Sequence, residues 1–265
     1  MRKISNEIRA LTLECISSIG QGHIGGSFSI VDALTVLYYK HMNVDPKNPH
    51  MEGRDRLVVS KGHAGPAVYA TLAHKGFFPK EWLKTLNRLG TNLPSHCDMN
   101  KTPGVDMTAG SLGQGISCAC GLACGSKLAK DGATIYCIIG DGESQEGQVW
   151  EAALFAHQHK LDNLIVMLDN NKLQLDGYTD DVISMLDHAK KWESFGFYTQ
   201  SIDGHDLDAI DKAITNAKNH KGTPSMIVLN TIKGKGVSFI EAATVNNHSM
   251  KITPEMLEKA LEELK

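Results

Sequence analysis

The stretch that decides the fold covers residues 134–142 and reads Thr-Ile-Tyr-Cys-Ile-Ile-Gly-Asp-Gly. Its first six residues form an almost continuous apolar run, which predicts a strand that is buried on both faces of a sheet. A turn follows at once and places Asp141 between two glycines. Because ligands of open α/β sheets bind beyond the carboxyl ends of the strands, we expect Asp141 to face a ligand site.

Three more segments have the same strand-like character, namely residues 56–60, 164–168 and 226–229. Segments with helical periodicity lie between and around the strands. Helices are predicted over residues 7–19, 30–39, 67–74, 111–130, 149–159, 186–195, 207–218 and 254–265, with Ser29 capping the second and Thr253 the last. This βαβ alternation predicts an α/β fold, a doubly wound parallel sheet with helices on both faces. No linker or repeat divides residues 1–265, so we expect a single domain.

Composition excludes several classes of protein. An apolar fraction of 42% and a charged fraction of 22% are ordinary for a globular protein. A net charge of −3 gives no reason to expect nucleic acid or an anionic membrane as a partner. No apolar stretch is long enough for a signal peptide or a membrane span, so we expect a cytoplasmic protein. The six cysteines contain no CxxC pair, and we expect them to be reduced core residues.

A second polar turn strengthens the case for a ligand at Asp141. Asn171 follows the strand predicted over residues 164–168, the next strand along the chain. An Asp and an Asn at neighbouring strand ends could share one hard cation, with phosphate oxygens completing its shell. A Gly-Asp-Gly turn by itself also occurs with a solvated Asp. The pairing with Asn171 favours the metal–phosphate interpretation over that alternative.

Several motifs, in order between residues 8 and 236, resemble those of transketolase, and specifically of the amino-terminal subunit of its split, two-chain form. They are Gly-His-Ile-Gly-Gly at 22–26, Ser-Lys-Gly-His-Ala at 60–64, Lys-Thr-Pro-Gly-Val at 101–105, Gly-Ser-Leu-Gly-Gln-Gly at 110–115, Gly-Asp-Gly at 140–142 with Gln-Glu-Gly at 145–147, and Asn-Asn-Lys at 170–172. The resemblance implies a thiamine-diphosphate-binding fold, of which this chain would be the diphosphate-binding module.

The resemblance also implies a cofactor and a metal. Asp141, Asn171 and the carbonyl oxygen of Leu173 match the family's ligands for Mg²⁺, or for Ca²⁺ or Mn²⁺ in its place. The positions that match contacts to thiamine diphosphate are His63, Gly110, Leu112, Gly140, Asp141, Gly142, Glu146, Asn171 and His248. The Lys-Gly-Lys-Gly segment at 233–236 lacks the Walker spacing, so we interpret it as a loop over the site and not as a nucleotide loop.

Four histidines and one glutamate match catalytic positions of the family. His23 and His96 correspond to histidines that face the substrate, and His63 and His248 to histidines that contact the diphosphate and flank the thiazolium. Glu146 corresponds to a glutamate at the contact between subunits, although a carboxylate at a helix start is also favoured by the helix dipole alone. We expect the remaining histidines to be surface or internally satisfied residues.

Two departures from the family pattern bear on the histidines. This chain has Ser-His-Cys around His96 where the family has Gly-His-Pro, and Asn-Asn-His at 246–248 where many relatives have Trp-His-Gly. Because proline restricts the residue before it, we expect the backbone path at His96, and with it substrate preference, to differ.

The activity implied by the resemblance is transfer of a two-carbon ketol unit from a ketose phosphate to an aldose phosphate, with pentose-phosphate sugars as the default. The family's activating glutamate belongs to a pyrimidine-binding domain, so we expect a carboxyl-terminal partner subunit, in an α₂β₂ heterotetramer with residues 111–126 in the contact. A decarboxylating enzyme of the deoxyxylulose-phosphate-synthase kind and a non-catalytic regulatory homologue are the alternatives. The segment at 110–115 has the transketolase form and favours ketol transfer.

Overall fold

The structure, a computed structural model, describes residues 1–265 and is organised around one parallel β-sheet. The strands are β1 (Gln21–Gly22), β2 (Arg56–Val59), β3 (Ile135–Gly140), β4 (Leu164–Asn170), β5 (Tyr198–Asp203), β6 (Ser225–Asn230) and β7 (Met250–Lys251). Five of them form the sheet in the order β2-β3-β4-β6-β5, and every neighbouring pair is parallel. The short strands β1 and β7 form a separate antiparallel pair. The predicted doubly wound α/β fold is confirmed.

Helices cover both faces of the sheet. They are α1 (Arg2–Ser17), α2 (Ile24–Phe28), α3 (Val31–Val36), α4 (Gly65–Lys75), α5 (Gln114–Ala129), α6 (Gly147–Gln158), α7 (Thr179–Ile183), α8 (His188–Ser194), α9 (Leu207–Asn219), α10 (Ser238–Ala242) and α11 (Pro254–Glu263). A π-helical turn, Leu37–His41, continues α3. Short 3₁₀ turns occupy Gly62–Ala64, Lys80–Thr85, Glu143–Gln145 and Thr244–Asn247. None of the helices is both long and apolar enough to cross a membrane.

Alternating side chains of the central strand supply the two halves of the core. Ile135, Cys137 and Ile139 of β3 pack into one buried cluster, whereas Tyr136 and Ile138 pack into another on the opposite face. Burial on both faces explains why the strand reads as a continuous apolar run. A third, smaller cluster joins α1, α2, α10 and α11 beside the sheet. The six cysteines are unpaired, and four of them are buried, as expected for reduced core residues.

One expectation about local structure is wrong, and one strand was missed. The edge strand β5 was not predicted, because its sequence is Tyr-Thr-Gln-Ser-Ile-Asp and its residues are mostly half-exposed or exposed. An edge strand gains much of its stability from pairing with a neighbour, which an apolar pattern does not report. Ser29 does not cap a helix: its hydroxyl donates to Asp169 at 2.6 Å instead. Thr253, in contrast, caps α11 through Met256 as predicted.

Candidate functional site

A cleft of about 380 Å³ opens at the carboxyl ends of the sheet strands. Every residue that the sequence predicted for the site lines this cleft. These residues are His23, His63, His96, Gly110, Leu112, Gly140, Asp141, Gly142, Glu146, Asn171, Leu173 and His248. They come from seven separate segments of the chain, so the fold alone brings them together. Their individual roles stay predictions.

The four histidines form one group with His23 at its centre. The His23 ring centroid lies 5.5 Å from that of His63, 6.0 Å from that of His96 and 5.3 Å from that of His248. Burial lowers the pKa of His23 and holds the pKa of His63 well below its usual value. Burial, reinforced by the nearby Lys233 ammonium, lowers the pKa of His248 to about 4. These three rings are therefore neutral near pH 7, and each can donate a hydrogen bond from one ring nitrogen and accept one at the other.

The tight packing of residues 61–64 against residues 109–110 brings His63 into the group. A side chain on Gly62 would place its Cβ atom 2.3 Å from the carbonyl oxygen of Ala109. Only glycine fits there, and the short 3₁₀ turn then directs His63 into the cleft. His96 lies on the other side of Gly110, about 3.6 Å from where a Cβ atom of that glycine would stand. His63 is half-buried, whereas His96 is exposed at the mouth.

Asp141 is a buried carboxylate without an ion-pair partner. It is 2% exposed, and its oxygens accept hydrogen bonds from the backbone N–H groups of Gly142 at 2.8 Å and Lys172 at 2.5 Å. Burial, and secondarily the charge of Asp169, raise its pKa to about 7. A buried anion whose ionised form is disfavoured in this way would be stabilised by a cation.

Asn171 and Leu173 supply two further oxygens beside Asp141. The Asn171 amide nitrogen donates to Asp169 at 2.8 Å, which turns its oxygen away from Asp169. The Leu173 carbonyl oxygen accepts from the Lys233 ammonium at 3.0 Å. No group of three or more His, Cys, Asp or Glu side chains is arranged so that it could hold a metal ion. A carboxylate, an amide and a backbone carbonyl are, however, the oxygen ligands that a hard cation such as Mg²⁺ takes when phosphate supplies the rest.

Two lysines in the cleft were not among the predicted site residues, although each lies in a motif noted in the sequence, Lys61 at 60–64 and Lys233 at 233–236. Lys61 donates to Asp169 and to the Gly26 carbonyl, both at 2.6 Å, and it is buried. Lys233 is also buried, and it has only the Leu173 carbonyl at 3.0 Å and His248 Nδ1 at 3.2 Å as partners. Burial lowers the pKa of Lys233 to about 8, although Asp141 opposes that shift. The sequence feature that points to Lys233 is its position shortly after a predicted strand end and directly before a glycine.

Glu143 is the third residue that the sequence did not reveal. Its carboxylate accepts from the backbone N–H of Gly113 at 2.8 Å, from that of Gly140 at 3.0 Å, and from the Ser60 hydroxyl. Burial raises its pKa. One side chain thereby ties the segment at 110–115 to the end of β3 and to the residue before Lys61. Nothing in the local sequence distinguishes it from other acidic residues beside a turn.

Comparison with known proteins gives a consistent picture along the whole chain. The family described as transketolase, thiamine diphosphate binding domain, matches residues 1–261. The 6-deoxy-6-sulfo-D-fructose transketolase subunit SqwG of Clostridium sp. (strain MSTE9) is 56% identical, over 98% of this chain and 94% of the relative. An apulose-4-phosphate transketolase subunit of Actinobacillus succinogenes is 42% identical, over 92% of this chain and 88% of the relative.

Longer transketolases match over part of their length only. The crystal structure of transketolase from Campylobacter jejuni superimposes with a TM-score of 0.93 and is 34% identical, over 99% of this chain and 42% of that one. The human transketolase is also 34% identical, and this chain again spans 42% of it.

Proposed function

The chain belongs to the transketolase family through its thiamine diphosphate-binding domain, and we propose that it is the cofactor-binding subunit of a two-chain transketolase. The observation that carries the proposal is the convergence of all the predicted site residues in a single cleft at the carboxyl ends of the strands. Relatives that are themselves named as subunits, and that this chain covers over 94% and 88% of their length, support the two-chain form.

The residues present fit thiamine diphosphate and a divalent metal. Asp141, Asn171 and the Leu173 carbonyl would hold Mg²⁺, or Ca²⁺ or Mn²⁺, and the metal would hold the diphosphate. The Gly142 N–H, His63 and the buried Lys233 ammonium would meet the remaining phosphate charge. When bound, the cofactor supplies a carbon nucleophile that accepts the two-carbon ketol unit.

The histidine group would handle the protons of ketol transfer. Cleavage of the ketose releases an aldehyde and requires removal of a hydroxyl proton, and addition to the aldose returns a proton. His23, His63 and His248 have lowered pKa values, so each is neutral near pH 7 and able to take or return a proton. His96 stands at the exposed mouth, 6.0 Å from His23, where a substrate would enter.

We propose a partner that covers the exposed side of the cleft and completes the enzyme as an α₂β₂ assembly. Leu112 and Leu175 line the cleft while 37% and 65% exposed, and Glu146 beside them is exposed as well. Apolar side chains at the mouth of a polar site indicate a surface that another chain buries. The partner would carry the pyrimidine-binding domain and its activating glutamate.

The proposed ketose donor is 6-deoxy-6-sulfo-D-fructose. The relative that is named for this sugar is 56% identical, well above the 42% of the apulose-4-phosphate relative. Loss of the C1–C2 ketol unit from this donor leaves an aldose two carbons shorter that keeps the sulfonate. The aldose acceptor would be a sugar phosphate.

The test is a donor comparison with the assembled enzyme. The chain is co-expressed with its partner subunit, then supplied with thiamine diphosphate, Mg²⁺ and an aldose phosphate. The ketoses 6-deoxy-6-sulfo-D-fructose, apulose 4-phosphate and fructose 6-phosphate are compared by kcat/KM, with pyruvate plus an aldehyde as the decarboxylation arm. We expect the sulfonated ketose to have the highest value. Preference for another ketose would overturn the donor assignment, and carbon dioxide release from pyruvate would overturn the transketolase assignment.

A further inference from the structure

The segment of residues 231–236 follows β6 and carries Lys233 into the cleft. Next to Lys233 its backbone is held by two hydrogen bonds: the Gly234 N–H donates to the Gly25 carbonyl at 3.0 Å, and the Asn247 amide donates to the Lys233 carbonyl at 2.9 Å. The Lys233 ammonium has no carboxylate within ion-pair distance. The position of the Lys233 ammonium therefore depends on where the backbone of the 231–236 segment lies.

Behind this segment lies a buried charged cluster, outside the cleft, centred on Asp32. Asp32 is fully buried on α3. Its carboxylate accepts from Ser5 at 2.5 Å, from Arg2 at 2.7 Å, from Arg9 Nη2 at 2.5 Å and from His205 Nδ1 at 2.9 Å. These donors hold the pKa of Asp32 far below its usual value despite its burial, so the cluster is a permanently charged anchor.

Two members of the cluster reach from Asp32 to the segment. The Arg9 Nε–H donates to the Lys235 carbonyl at 2.8 Å, and the Ile232 N–H donates to His205 Nε2 at 2.8 Å. A backbone N–H can only donate, so Nε2 must be unprotonated and Nδ1 must carry the proton that Asp32 accepts. The segment is thus fixed on both sides of Lys233 by groups that share one carboxylate.

We propose that Asp32, Arg9 and His205 position the 231–236 segment, and through it the Lys233 ammonium, for the cofactor's diphosphate. His205 and Arg9 are positioning residues, since neither lines the cleft. The Lys233 side chain is buried, so a shift of its backbone would displace the ammonium, and misplacement by about an ångström is costly in active sites. The cofactor part of this inference rests on the proposed function, whereas the positioning of the segment does not.

The experiment compares His205→Ala with a matched control, His41→Ala. His41 Nε2 also pairs with an aspartate, Asp211, at 2.8 Å, and its side chain is 9% exposed against 10% for His205. Two measurements are made on each variant assembled with the partner subunit. They are amide hydrogen exchange of residues 231–236 and the dissociation constant of thiamine diphosphate in the presence of Mg²⁺.

We expect His205→Ala to speed exchange in residues 231–236 and to weaken cofactor binding about tenfold, as loss of an outer-shell partner does. His41→Ala should leave both unchanged. Equal effects of the two variants, or no effect of His205→Ala, would overturn the inference.

A second variant covers the case in which His205→Ala does not fold. Arg9→Lys keeps a positive charge beside Asp32 but removes the donor to the Lys235 carbonyl. Amide exchange of residues 231–236 and thiamine diphosphate affinity are measured for this variant as well, and no change in either would overturn the inference. If the wild-type assembly does not bind thiamine diphosphate, the proposed function fails. The exchange measurement then still decides whether the cluster holds the segment.

Discussion

The inner wall of the cleft, formed by Lys61, Asp141 and Lys233, is buried, whereas its rim, formed by Leu112, Glu146 and Leu175, is exposed. Each inner-wall group has hydrogen-bond partners within this chain, with Asp169 behind Lys61. The rim residues make no side-chain hydrogen bonds or ion pairs, and Leu175 is 65% exposed. This contrast agrees with the proposed function, in which this chain would hold the diphosphate at the inner wall and a partner chain would cover the rim.

The largest effect should come from leaving the rim uncovered. We expect the isolated chain to show no ketol transfer above the uncatalysed background, because in the proposed function the groups that close the site and activate the cofactor would belong to the partner. Addition of the purified partner subunit should restore turnover. The measurement is a coupled transketolase assay together with size-exclusion chromatography. Robust turnover by the isolated chain would contradict the division of the site between two chains.

Removal of the inner-wall carboxylate is the next largest change. Asp141→Ala should weaken Mg²⁺-dependent binding of thiamine diphosphate by at least about a hundredfold, the upper end of what loss of an outer-shell metal partner costs. The fold should survive, since burial disfavours the charged carboxylate, which gains only two backbone hydrogen bonds in return. Calorimetry on the assembled enzyme measures the affinity. The matched control is Asp176→Ala, an exposed aspartate of the same cleft. Unchanged affinity in Asp141→Ala would remove Asp141 from the metal site.

His63 and His96 lie on either side of Gly110, and replacing each of them tests the inner wall and the rim of the cleft separately. His63→Ala should weaken cofactor binding, because His63 is half-buried against the inner wall. His96 stands at the exposed mouth, where a substrate would enter. His96→Ala should therefore mainly lower kcat, by an amount equivalent to about 1.5–3 kcal/mol of transition-state stabilisation. Cofactor affinity and kcat are measured for both variants. If His96→Ala keeps full turnover, the Ser-His-Cys departure marks a site that uses other residues.

The smallest effect tests the outer face of α5, which the sequence placed in the partner contact. Gly121 and Gly125 are exposed in mid-helix, and a Cβ atom on either would meet nothing within 4 Å. Gly121→Ala should therefore stabilise the isolated chain by about 0.5–1 kcal/mol, measured by urea unfolding. It should weaken assembly with the partner if the helices pack closely there. A gain in stability with no loss of assembly would place the contact elsewhere.

Four of the five sheet strands and the polar turns at Asp141 and Asn171 could be predicted because their determinants are local, whereas the other site residues came from the family resemblance. A strand buried on both faces has to be an apolar run, as β3 and β4 are, and the polar residues that follow such a run lie at a strand end. The edge strand β5 could not be predicted in this way. Its polar sequence is stabilised by pairing with β6, and that pairing is not encoded in the segment itself.

The sequence by itself predicted four of the five sheet strands, the candidate oxygen ligands Asp141 and Asn171, and the four candidate catalytic histidines. Only the tertiary structure decided which charged residues support that chemistry. Lys233, Glu143 and the Asp32 cluster act through partners far away in the chain, such as His205 at the end of β5. Burial and charge pairing depend on what the fold brings together. The local sequence at Glu143 and at Asp32 therefore does not reveal their contacts, and the 233–236 segment indicated only that a loop lies over the site.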